Sequence, residues 1–138
     1  MHPIQIMMNQ MSLASRQTRS DYQLTLGQAV RELSLRDAAL PVTFADGSHP
    51  DPKGVGSYRG YYADLAISSR DEPTTCGELL EALKASQGQT FTGYKGGDYR
   101  MGNDTPLWHS DYGTASGVAI MGTSATPDGI VLDVRQVD

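Results

Sequence analysis

The chain has 138 residues, 38% hydrophobic and 20% charged, with a formal net charge of -5 and one cysteine, Cys76. This is the length of one domain able to bury a real core, and a lone cysteine excludes an intramolecular disulfide. The Lys and Arg residues number 11 and are scattered, which speaks against a phosphate-reading nucleic-acid face, and no apolar run approaches membrane-spanning length.

In chain order, residues 1–20 are polar with no sustained period and read as a flexible N-terminal arm. Met11 is an alternative start, with the first ten residues an upstream extension, and Ile4, Ile6, Met7 and Met8 are a minor candidate for an edge strand. The N-terminus lacks the charged start and apolar core of a secretory signal, so the expected location is cytoplasmic.

Residues 21–138 read as a single α+β domain. Its strongest feature is a gapless match between Thr25-Leu26-Gly27-Gln28-Ala29-Val30-Arg31-Glu32-Leu33 and Thr75-Cys76-Gly77-Glu78-Leu79-Leu80-Glu81-Ala82-Leu83. Each opens with a capping box, a threonine followed three residues on by Gln28 or Glu78. Each continues with an apolar stripe at helical spacing: Leu26, Ala29, Val30 and Leu33 in one, Cys76, Leu79, Leu80 and Leu83 in the other. The predicted helices are short and need tertiary packing to persist.

Strand signals follow each helix. After the first come Pro41-Val42-Thr43-Phe44, a turn-rich loop through Asp46-Gly47 and Pro50-Asp51-Pro52-Lys53-Gly54, and a strand from about Tyr58 to Ile67. After the second come Thr90-Phe91-Thr92-Gly93-Tyr94, a Gly-Gly turn and Thr105-Pro106-Leu107-Trp108-His109. Val118-Ala119-Ile120-Met121 and Ile130-Val131-Leu132-Asp133-Val134 then form a hairpin around Pro127-Asp128-Gly129. The expected architecture is two α-β-β units, about 24–67 and 74–122, in a mixed or antiparallel sheet with both helices on one face. Capping boxes are common enough to recur by chance, but the matching strand segments favour reading the match as an internal duplication.

Alternation across 58–67 assigns Arg59, Tyr61, Ala63, Leu65 and Ile67 to the core side, and Tyr58, Gly60, Tyr62, Asp64 and Ala66 to the helix-free face. The stretch SYRGYY, residues 57–62, concentrates rings beside a planar cation. A second stretch, residues 91–108, places Tyr94, Lys95, Gly96 and Gly97 together and ends on Trp108. Consecutive glycines suit an anion-binding nest, and Lys95 reinforces it. Core tyrosines and a plain hairpin turn explain each stretch separately. Together they predict a pocket in which Tyr58, Tyr62, Tyr94 and Trp108 stack on a ligand while Arg59, Lys95, Gly96 and Gly97 meet its negative charge.

Several chemistries lack their signatures. Gly54-Val55-Gly56 is neither a P-loop nor a dinucleotide fingerprint. His2, His49 and His109 are far apart, the Asp46, His49 and Asp51 cluster reads as a turn, and no metal spacing appears. Cys76 lies on a buried stripe, so a Cys76–His109 nucleophile pair is disfavoured, and the adjacent His109, Ser110 and Asp111 do not make a triad. No cofactor is expected.

The helix start Thr25-Leu26-Gly27, then residues 57–62, Thr75-Cys76-Gly77-Glu78-Leu79-Leu80, residues 90–97 (TFTGYKGG) and residues 104–108 (DTPLW) resemble a family of small uncharacterised proteins encoded by tailed bacteriophages. The resemblance covers roughly residues 24–122. A narrower one, at Thr25-Leu26-Gly27-Gln28-Ala29, is to the phage anti-Thoeris sponge proteins, which sequester a cyclic-nucleotide immune signal. These resemblances imply a non-enzymatic, homo-oligomeric sponge acting in the cytoplasm of an infected bacterium, holding a small anionic nucleotide-like ligand. The alternatives are a protein-binding inhibitor of a host defence enzyme and a signal-degrading hydrolase using Asp64, Asp98 or Asp104 as general base.

Overall fold

The computed structural model describes residues 23–93, 95–110 and 115–137; the predicted arm and Tyr94 lie outside them. Two helices, α1 (Leu26–Ser34) and α2 (Cys76–Ser86), begin where the capping boxes place them. Thr25 Oγ1 accepts from the Gln28 N–H and Thr75 Oγ1 from the Glu78 N–H, while each N3 side chain accepts from the cap's own N–H. The stripes bury Leu26, Ala29 and Leu33 of α1, and Cys76, Leu79 and Leu83 of α2.

The strands are β1 (Pro41–Phe44), β2 (His49–Tyr58), β3 (Tyr61–Arg70), β4 (Thr74–Thr75), β5 (Thr90–Thr92), β6 (Asp98–Arg100), β7 (Leu107–His109), β8 (Val118–Thr126) and β9 (Gly129–Gln136). Seven of them form a mixed sheet in the order β2-β3-β7-β8-β9-β1-β4, and β5 and β6 form a separate ribbon. The sheet curls back on itself. Its first and last strands meet where the Thr74 hydroxyl donates to the Pro50 carbonyl, and the Phe44 N–H reaches the Ser48 carbonyl at 2.8 Å. The curled inner face and the helices enclose the main core, including Val42, Phe44, Leu65, Ile67, Leu107, Ile120 and Ile130. A smaller cluster of Tyr58, Trp108 and Ala119 packs on the other face.

The two helix starts are received in the same way. Leu26 and Gly27 donate to the carbonyls of Thr105 and Asn103, and Cys76 and Gly77 donate to those of Leu40 and Ala38. Thr25 bridges antiparallel to Pro106, as Thr75 does to Pro41. A side chain on Gly27 would strike Asn103, whose Cβ and carbonyl oxygen lie 2.8 and 2.9 Å from the added Cβ; one on Gly77 would press on Ala38 at 3.1 Å. Beyond these contacts, β1 runs parallel to β9 (Phe44 opposite Leu132), and β7 runs parallel to β3 (His109 opposite Ile67). The strand standing in the place of β1 is therefore β7, not residues 90–94 as the sequence pattern suggests. The β5–β6 ribbon is an addition with no counterpart after α1.

Two local expectations are corrected. Residues 49–58 are strand β2 rather than loop. Their prolines are tolerated because β2 ends the sheet and bulges, with residues 51–54 set against Ser68 alone. The predicted strand from Tyr58 is interrupted at Arg59-Gly60, the turn between β2 and β3, where Tyr58 pairs with Tyr61. Among the described residues, no helix is long and apolar enough to cross a membrane.

Candidate functional site

The β2–β3 turn is shaped by its own tyrosine. The Tyr58 ring folds beneath Gly60, whose added Cβ would lie 2.5 Å from the Tyr58 Cε2. Only glycine permits that approach, which explains the glycine between the arginine and the tyrosine pair. The Tyr58 ring stacks on Trp108, with centroids 4.3 Å apart and planes 4° from parallel. The Tyr58 hydroxyl accepts from the Gly117 N–H at 2.8 Å, and Trp108 Nε1 donates to Asp64 Oδ2 at 2.9 Å. Asp64 is fully buried.

Strand β3 has a second irregularity. Its pairing with β2 passes from Leu65 directly to Tyr61, leaving residues 62–64 out of register. The Ser57 hydroxyl donates to the Tyr62 carbonyl across the gap. The bulge sends consecutive tyrosines to different neighbours. Tyr61 leans on Trp108 at 5.8 Å and stays 45% exposed, whereas Tyr62 meets Tyr99 of β6 at 5.7 Å. Tyr61 was expected on the core side; the turn at Arg59-Gly60 and this bulge reset the alternation and bring it outward.

The β5–β6 ribbon packs beside this part of β3. Phe91, Tyr99 and Met101 anchor it to the main core. The Gly93 N–H donates to the Gly97 carbonyl and the Gly96 N–H to the Gly93 carbonyl, both at 2.9 Å. Gly96 and Gly97 hold φ of 94° and 85°, which L side chains rarely adopt. An added Cβ on Gly93 would lie 3.1 Å from the Tyr62 ring and 3.0 Å from Tyr99. Gly93 is thus the point where the ribbon presses on β3, and the two sequence stretches meet there.

The eight predicted site residues divide into groups. Tyr62 meets Gly93 and Tyr99; Lys95, Gly96 and Gly97 are exposed on the ribbon turn, and Arg59 is exposed on the β2–β3 turn. Tyr58 and Trp108 are each only 2% exposed and stack on one another, so they form the floor of the rim rather than an open stacking surface. The Gly96 N–H is bonded within its own turn, which corrects its expected role as a backbone anion donor. Tyr94 lies outside the described residues. Sequence reasoning missed Tyr61, Gly93 and Tyr99. The signal for Tyr99 was available, because it sits opposite Phe91 in the ribbon.

Burial pushes the Cys76 thiol up from its ordinary range, and its Sγ donates to the Leu33 carbonyl, the state of an inert core residue. Asp98 accepts from Thr92 Oγ1 at 3.2 Å on the ribbon, and Asp104 is exposed in the loop before β7. Among the described residues, no group of three His, Cys, Asp or Glu side chains is placed to hold a metal.

Compared with known proteins, the chain matches no family model, no curated protein and no solved structure.

Proposed function

We propose that this protein is a non-catalytic binder of a small anionic ligand of the nucleotide class, held across the rim between the β2–β3 turn and the β5–β6 turn. What supports this reading is the contact of Tyr62, which follows Arg59 closely in the chain, with Tyr99 and with Gly93, which closely precedes Lys95. Tyr61 and Tyr62 offer flat surface to a base, while Arg59 and Lys95 meet phosphate. The phage motifs extend the reading to a homo-oligomeric anti-defence sponge that sequesters an immune signal inside the infected bacterium. The matched reception of the two helix starts supports descent of the two halves from a duplicated unit.

Calorimetry against cyclic and linear nucleotides tests this. The expected result is saturable binding in the micromolar range or tighter, on the order of -8 kcal/mol, weakened together by Arg59→Ala and Lys95→Ala, with no product by chromatography. Failure to bind any of them below millimolar concentration would remove the reading. The exposed Tyr61 beside Arg59 favours one alternative, a protein-binding inhibitor, since Tyr and Arg dominate interface hot spots. A stoichiometric host partner lost on Tyr61→Ala, with no nucleotide bound, selects it.

A further inference from the structure

We propose a second binding site, independent of the aromatic rim, at the end of the curled sheet where β1 and β7 finish: a site for a small hydroxylated anion of the sugar-phosphate class. A cavity of about 450 Å³ opens there, within the usual size of small-molecule sites. Segments distant in the chain converge on it. The β1–β2 turn gives Asp46 and Ser48, the end of β3 gives Ser69, β7 gives His109, the start of β8 gives Ser116 and the end of β9 gives Arg135.

The polar groups are held in place. His109 lies flat on Phe44, with ring centroids 3.7 Å apart and planes 5° from parallel, which fixes the imidazole plane. Asp46 Oδ1 accepts from the Ser48 hydroxyl at 2.6 Å and the Ser48 N–H at 2.9 Å. Those bonds, with His109 nearby, hold the Asp46 carboxyl below its ordinary range, so it is ionised at neutral pH. The Ser116 hydroxyl donates to the His109 carbonyl and accepts from the Val118 N–H, and Gln136 Nε2 donates to the Ser116 carbonyl at 3.0 Å. These bonds pin β7, β8 and β9 around the opening.

The donor set defines the ligand. A guanidinium pairs with phosphate through two parallel N–H bonds. A carboxylate and serine hydroxyls satisfy sugar hydroxyls, which need acceptors as well as donors. A lone phosphate would leave the carboxylate facing like charge, and a neutral sugar would leave the guanidinium without an anion.

The test is titration of the full chain with ribose 5-phosphate, with ribose and inorganic phosphate as separate arms, read by calorimetry and by the His109 ring resonances. The expected result is saturable 1:1 binding of ribose 5-phosphate that shifts the His109 signals, with both fragments at least ~10-fold weaker. Arg135→Gln, a change at an exposed position, is expected to weaken binding at least ~10-fold, while the Arg59→Ala, Lys95→Ala pair leaves it unchanged. Asp46→Asn is expected to narrow the gap between ribose 5-phosphate and phosphate. No saturable binding, equal affinity for phosphate alone, or indifference to Arg135→Gln in a variant that melts like the parent would each overturn the proposal. Loss of binding in the rim pair alone would also overturn it, by moving the ligand to the rim.

Discussion

The bond between Trp108 Nε1 and the Asp64 carboxylate can be weighed directly. Its partners are 2% and 0% exposed, so water does not replace a missing one without rearrangement. Trp108→Phe removes the indole's buried hydrogen bond to the Asp64 carboxyl, about 1–3 kcal/mol, and part of the overlap with Tyr58, about 0.5–1.5 kcal/mol. Asp64→Ala strands the indole N–H in the same dry site, at about 1–3 kcal/mol, besides what its carboxylate does elsewhere. The double variant loses both ends of the bond at once, so it is expected to be about 1–3 kcal/mol more stable than the sum of the single losses implies. Urea unfolding followed by far-UV circular dichroism measures this without relying on the only tryptophan, and a domain of this size suits a two-state treatment. Each kcal/mol corresponds to roughly 3–5 °C in Tm as a check. A coupling below about 0.5 kcal/mol would refute the reasoning, because the two side chains would then act independently and the floor of the rim would owe nothing to their bond.

Two further outcomes follow from local geometry. Gly60→Ala places a methyl against a Tyr58 ring that cannot retreat from Trp108, so a loss of about 1–3 kcal/mol and a changed tryptophan emission spectrum are expected. Gly56→Ala, where nothing lies within 4 Å, is the control and should stay within about 0.5 kcal/mol. The capping boxes give a pH test, since Glu78 accepts from the Thr75 N–H and hydroxyl, bonds that hold its carboxyl below the ordinary range, whereas Gln28 in the other box does not titrate. Because the folded pKa is the lower one, this stabilisation is present above the unfolded value of about 4.3 and is lost as pH falls through the folded value. Glu78→Gln should flatten that part of the acid limb in a denaturation series, and an unaltered limb would contradict it.

What the sequence made legible was local in origin. A capping box needs four residues and an apolar stripe about eight, so α1 and α2 could be placed from Thr25 and Thr75 onward. The closing hairpin carries its own turn at Pro127-Asp128, and Gly129, which opens β9 beside it, has φ of 151°. The errors arise where a distant partner decides. Pro50 and Pro52 signal a loop unless β2 is known to bulge there, with residues 51–54 against Ser68 alone. Gly60 within a run of tyrosines looks like a strand residue until the Tyr58 ring is found beneath it. The parallel pairing of β1 with β9 joins residues as distant in the chain as Val42 and Ile130, and no local pattern reports it.

The candidate site shows the same division. Tyr58 and Trp108 have the composition of a binding surface, and composition alone cannot separate rings that stack on a ligand from rings that stack on each other. Their polar ends decide it: the indole N–H ends on Asp64 and the phenol on the Gly117 N–H, so both bury without a stranded polar group. Once that floor is closed, the surface left for recognition passes to their neighbours, Tyr61 and Tyr62, which the bulge in β3 turns toward different partners. A ligand at the rim would therefore be recognised by residues whose orientation depends on a buried aromatic pair it never touches. Variants of that pair should weaken binding only to the extent that they disturb the turn above it.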